Sequence, residues 1–218
     1  MFSEIIKKTD FSNLYEIETS KYFKDITTIE LEYWDVHEHM FSSVEKDAKI
    51  LDVGVWFGII PWALKQLGYK NVDCTECFVH SQSKRDSFNL LWEKFNISPF
   101  ELHIEPQTPF VLPTTYDVIT MTKSNVFWKT QEVIHYDGTD VKTEWQVLGN
   151  DQKHHTFFTL YNTEDWKYFI ENAKKFLNPG GRLLLNPEPW SYDKIDYYKD
   201  TNEFLKPYYN GSYLEITK

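Results

Sequence analysis

Only two cysteines, Cys74 and Cys77, occur in this chain of 218 residues, too few for a disulfide framework. Basic residues are also scarce: 23 Lys and Arg face 33 Asp and Glu, and the net charge of -10 opposes attraction to phosphate backbones and anionic lipid. No run of Lys and Arg with interleaved aromatics occurs, so nucleic acid is a disfavoured partner. Apolar runs are interrupted within a few residues, far short of a membrane span, and the opening MFSEIIKKTD has no apolar secretory core. A cytoplasmic protein with no membrane partner is expected, its oligomeric state unspecified. His135, His154 and His155 have no HExxH pattern or matched carboxylate spacing, so no metal is expected. Repeats and low-complexity tracts are missing as well.

What the chain has in abundance is aromatic surface. Hydrophobic residues make up 41%, and 8 Trp, 14 Tyr and 16 Phe among them supply large buried areas that can form one core. The length fits a single decorated domain, 1–218. Residues 1–47 read as a helical, aromatic lid. From Lys49, KILDV is a short apolar run, and Ile59, Ile60, Ala63, Leu64 and Leu67 then recur at helical spacing until Gly68. NVDCTE, a helix from Ser81 to Phe95, FELHI, YDVITM, a helix from Glu164 to Leu177, and NPGG turning into RLLLN continue the alternation. Alternating strands and helices predict an α/β fold with a mostly parallel sheet covered on both faces. The pattern fails between Trp128 and Thr156, where polar residues and an Asp137-Gly138 turn predict an inserted hairpin or loop, 129–156, within a core of 48–188. A C-terminal segment, 189–218, follows.

In such a sheet ligands bind beyond the carboxyl ends of the strands, which directs attention to ILDVGVWFG after the first strand. Gly54 and Gly58 allow a sharp turn and close approach to a ligand, and a helix starting near Gly58 adds free amide donors. Glu76, 18 residues beyond Gly58, ends the second strand, where a carboxylate can accept both hydroxyl protons of a ribose. These residues describe a nucleoside site. A dinucleotide pyrophosphate wants GxGxxG spacing and no neighbouring carboxylate, but bulky Trp56 and Phe57 lie between the glycines and Asp52 precedes them. S-adenosylmethionine has no phosphate and carries a sulfonium and an ammonium that Asp52 favours.

Taken together, ILDVGVWFG, Glu76, YDVITM and LNPGGRLLL resemble the successive motifs of class I S-adenosylmethionine-dependent methyltransferases over roughly residues 48–188. Trp56 stands where that family's D-x-G-x-G-x-G loop has its middle glycine. The resemblance implies a Rossmann-like fold and a cofactor site formed by Asp52, Gly54, Val55, Trp56, Gly58 and Glu76. It places Cys77 and Glu105 near the adenine, and Thr122 and Lys123 near the methionine moiety. Glu105 reads equally as a solvated carboxylate and Lys123 as a surface lysine, while Cys74 reads as a packed thiol. FFTLYNTEDWKYFI with LNPGGRLLLN is similar to small methyltransferases of surface-polysaccharide gene clusters, which implies a small polar acceptor such as a sugar or sugar precursor. NPEPWSYDK is similar to bicoid-interacting-type enzymes that methylate an RNA 5′-phosphate, and a non-catalytic cofactor-binding scaffold is a third reading. For a hydroxyl acceptor, Glu188 and His154 are the candidate bases; the alternative for Glu188 is a turn held by Pro187 and Pro189.

Overall fold

The computed structural model describes residues 2–15, 17, 21–28, 33–76, 82–102, 104, 108–122, 127–130, 146–148, 154–158, 163–186, 203–210 and 213–218. Among the described residues the α-helices α1 (Phe2–Lys8), α2 (Lys21–Thr28) and α3 (Tyr33–Phe41) come first. The core then alternates β1 (Lys49–Val53), α4 (Ile59–Gln66), β2 (Asn71–Glu76), α5 (Gln82–Phe95), β3 (Phe100–Glu101) and β4 (Tyr116–Thr122). After β5 (Phe127–Thr130), β6 (Gln146–Leu148) and β7 (His154–Phe158) come α6 (Thr163–Lys175), β8 (Leu177–Asn186) and β9 (Leu214–Thr217).

Six strands form one sheet in the order β3-β2-β1-β4-β8-β9, parallel throughout except for β9, which runs antiparallel to β8. This is a Rossmann-like α/β sheet. The chain moves outward from β1 through β2 to β3 and then returns to the other side of β1 as β4. The topological switch point therefore falls between β1 and β4, where open α/β sheets leave a crevice beyond their carboxyl ends. The strands alternate between two apolar clusters. Ile50, Val118 and Leu184 pack with residues of the N-terminal helices, α4 and α5, whereas Leu51, Val53, Ile119, Met121, Leu183 and Leu185 pack against Trp166, Phe169, Ile170 and Ala173 of α6. Burial on both faces explains why the central strands read as nearly continuous apolar runs.

The stretch where the helix-strand pattern failed carries a second sheet, antiparallel in the order β5-β7-β6. Asp137 and Gly138 lie outside the described residues. Helix ends follow local chemistry: at Gly68 (φ 88°) the Tyr69 amide donates to the Leu64 carbonyl and the Gly68 amide to that of Lys65, a Schellman closure of α4. Asn96 (φ 50°) closes α5 in the same way, with Ile97 donating to Trp92 and Asn96 to Glu93.

Three boundaries differ from the sequence reading. Helix α6 ends at Lys175, because Leu177 pairs with Tyr116 and already belongs to β8. NPGG is a bulge inside β8, where the register jumps from Tyr116↔Leu177 to Val118↔Arg182. A Cβ on Gly181 would lie 2.9 Å from the Asn178 carbonyl oxygen, so the bulge requires glycine there. Finally, FELHI is paired as a strand only at Phe100 and Glu101 among the described residues, as befits a sheet edge.

Candidate functional site

At the switch point, strand register places a polar row inside an otherwise apolar sheet. Asp52 of β1 is the register partner of Cys74 on β2 and of Thr120 on β4. Glu76 and Thr122 lie two residues further along their strands, so all five side chains project from the same face. All five are buried. Asp52 is 1% exposed, and neither of its carboxylate oxygens has a hydrogen-bond partner among the described residues; the same holds for the Thr120 hydroxyl. Burial, reinforced by the charge of Glu76, holds the Asp52 carboxyl well above the usual carboxylate range. Burial also pushes the Cys74 thiol up to about 12, with Asp52 adding to the shift, so Cys74 is a packed, protonated thiol.

The loop from β1 to α4 directs its own amides inward. Gly54 and Val55 both donate to the Thr75 carbonyl, at 3.1 and 2.8 Å, and Gly58 donates to Val55 at 2.8 Å. The Trp56 amide donates to Glu76 Oε2 at 2.7 Å. These four loop amides are committed to acceptors within the chain, and the acids Asp52 and Glu76 stand beside them. A phosphate cradle needs the opposite arrangement. Trp56 adopts φ 45°, the left-handed backbone that glycine supplies without a Cβ penalty, and its ring stacks on Phe57 at 4.0 Å. The Trp56 carbonyl accepts a 2.7 Å bond from Trp92 Nε1. Phe57 packs in turn on Phe23 of α2 and Phe88 of α5, joining the N-terminal helices to the loop.

Gly58 caps α4 at φ 85°, and a Cβ there would lie 2.2 Å from Ile97 Cδ1 and 3.0 Å from Trp92 Cδ1. Gly58→Ala should thus destabilise the fold by about 2–4 kcal/mol, combining left-handed strain with overpacking between buried neighbours. Urea titration measures this, and a loss below about 0.5 kcal/mol would show that the loop relaxes around the methyl group.

Asp52, Gly54, Val55, Trp56, Gly58, Glu76 and Thr122 are thus gathered around the carboxyl ends of β1, β2 and β4. Cys77, Glu105, Lys123 and Glu188 lie outside the described residues, and of His154 only its place at the start of β7 is described. Thr120 and Trp92 were missed. A threonine within V-I-T-M-T was a usable signal for the first, whereas the bond from Trp92 to Trp56 depends on how α5 docks. Among the described residues no group of three or more His, Cys, Asp or Glu side chains could hold a metal ion, and no helix is long and apolar enough to cross a membrane.

No protein-family model matches the chain, and no curated protein matches it. Solved structures similar to it include the CcbJ methyltransferase from Streptomyces caelestis, with 14% identity over 69% of this chain and 47% of that one and a TM-score of 0.43. DesVI of Streptomyces venezuelae is 13% identical over 83% and 58% of the respective chains, with a TM-score of 0.43. CalS10, an amino pentose methyltransferase from Micromonospora echinaspora, was solved with its S-adenosylmethionine bound and is 14% identical over 82% and 56%, at a TM-score of 0.40. The chain spans about half the length of these structures. The Rossmann-like assignment rests on strand order and register.

Proposed function

We propose that this chain is an S-adenosylmethionine-dependent methyltransferase of class I architecture, acting on a small polar acceptor such as a sugar or sugar precursor. The observation that carries the reading is the electrostatic character of the β1–α4 loop. Four of its amides are committed internally, while buried Asp52 lies near Glu76 without a donor among the described residues. Such a site disfavours a pyrophosphate and fits a ligand that brings positive charge and hydroxyl donors.

In this reading Glu76 accepts the ribose hydroxyls, and Gly54, Val55, Trp56 and Gly58 shape the loop around the nucleoside. Asp52, which burial keeps protonated in the free protein, supplies negative charge toward the cationic end once the bound cation displaces its proton. Cys77 and Glu105 are assigned to the adenine side, Thr122 and Lys123 to the methionine side. The cofactor supplies an already activated methyl group, so the protein's task is to align the acceptor and exclude water. For a hydroxyl acceptor, Glu188 or His154 takes the proton; an ionised acceptor needs no base. The lid 1–47, core 48–188 and segment 189–218 act as one unit, and the insertion 129–156 selects the acceptor. The acidic net charge of -10 favours a small molecule over RNA.

Both S-adenosylmethionine and S-adenosylhomocysteine should stabilise the folded protein, by about 2.7 kcal/mol at a concentration one hundred times Kd. Calorimetry with both ligands and with NAD tests this, beside a methyl-transfer screen over sugars, nucleotide sugars and 5′-phosphorylated RNAs. A folded protein that ignores both adenosyl ligands at millimolar concentration would end the assignment.

A further inference from the structure

Trp56 occupies a left-handed backbone position that an L side chain adopts only at a cost, and it is held there from both sides. Its carbonyl accepts the Trp92 indole N–H at 2.7 Å, and its own amide donates to Glu76 Oε2 at 2.7 Å. Trp92 itself has little freedom. It is buried in α5, a helix of 14 residues, its ring stacks on Phe88 at 5.9 Å, and its carbonyl accepts the Ile97 amide that closes the helix. A rigid helix therefore reaches across to the loop and sets the orientation of a peptide whose other end grips a carboxylate.

From this chain of contacts we infer that Trp92 is a positioning residue for Glu76: it fixes the Trp56 peptide so that the Trp56 amide aims the Glu76 carboxylate. The inference rests on the proposed reading of Glu76 as the acceptor of ribose hydroxyls. Glu76 lies close enough to Asp52 for its charge to oppose ionisation there, and whenever both are ionised their repulsion would turn an unrestrained Glu76 away. A bond from a fixed amide counters that tendency and leaves the carboxylate in one orientation before any ligand arrives. The side chain of Trp56 contributes its stacking on Phe57 but is not the element that aims Glu76; its backbone is. In effect the indole of Trp92 supplies the restraint that makes a non-glycine residue workable at this point of the loop.

Trp92→Phe retains an aromatic ring for Phe88 and removes the N–H. If it folds poorly, replacing the indole of Trp92 with benzothiophene keeps the bicycle and removes the same donor. Two measurements follow. Hydrogen exchange in protein carrying ¹⁵N-tryptophan should show the Trp56 amide exchanging at least about tenfold faster in the variant, with the Trp166 amide in α6 unchanged. Titration with S-adenosylhomocysteine should show an affinity loss of about tenfold, which nearly vanishes for an analogue lacking both ribose hydroxyls, because only the hydroxyl-bearing ligand uses the aimed carboxylate.

A merely structural role for Trp92 would weaken both ligands equally and loosen Trp166 together with Trp56, and either result overturns the inference. Unchanged exchange at Trp56 overturns it regardless of ligand. Selective loosening of Trp56 in a protein whose wild type binds neither adenosyl ligand supports the relay from Trp92 to Glu76 and overturns the nucleoside reading alone.

Discussion

Glu76→Ala should raise the Kd for S-adenosylhomocysteine by at least about a hundredfold. Each charge-assisted bond to a ribose hydroxyl contributes roughly 1.5–3 kcal/mol when shielded from water, and a hundredfold corresponds to about 2.7 kcal/mol. The substitution also strips the Trp56 amide of its 2.7 Å acceptor at a left-handed residue, so the loop loses part of its shape along with the carboxylate. Glu76→Gln separates these effects. Its amide oxygen can still accept from Trp56, while its charge is gone and its NH₂ group cannot accept a hydroxyl proton. The glutamine variant should therefore bind more weakly than wild type but retain more of the fold's stability than the alanine variant. Isothermal titration gives the affinities and urea denaturation the stabilities. An unchanged Kd in Glu76→Ala would move the ribose to another part of the sheet edge.

The second expected result is a change in how stability depends on pH. Asp52 is buried without a hydrogen-bond donor among the described residues, and burial together with the charge of Glu76 raises its pKa well above 3.8. Above about pH 4 the unfolded chain releases this proton while the folded protein keeps it. The folded state then binds more protons than the unfolded one, so stability falls as pH rises, by up to about 1.4 kcal/mol per pH unit until the folded-state pKa is passed. Asp52→Asn removes the titration. The variant should match wild type most closely near pH 4 and become progressively more stable than it toward neutrality. Beside Asp52 lie Glu76 and Cys74 on β2 and Thr120 on β4, and the Cys74 thiol, pushed up to about 12, stays protonated across this range. Urea denaturation between pH 4 and 8 measures the difference, and parallel pH profiles for the two proteins would remove Asp52 as its source. The same substitution should weaken cationic S-adenosylmethionine more than uncharged nucleosides, since only the former benefits from an ionised Asp52. Gain in stability and loss of affinity would then share one cause, a carboxylate kept buried in the core.

Much of this was readable along the chain. KILDV, NVDCTE and YDVITM form strands because each is a short apolar or β-favouring run, and the α4 repeat ends at Gly68 because glycine accepts the left-handed turn that closes a helix. Leu177 was drawn into the wrong element because an apolar residue at helical spacing looks the same whether it ends a helix or begins a buried strand; its pairing with Tyr116 settles the matter. Glycine spacing and the two acids also marked the loop after β1 as the place to look.

By itself, then, the sequence determined the alternation of strands and helices, the place of the loop at the carboxyl end of β1, and the acidic character of the residues around it. These depend on periodicity, turn chemistry and charge, which are local. Only the tertiary structure decided that four loop amides are spent on Thr75, Val55 and Glu76, that Asp52 faces Thr120 across strands 68 residues apart, and that Trp92 restrains the peptide of Trp56. Each depends on strand register or on the docking of a helix, and those are set by packing of the whole core rather than by any segment on its own.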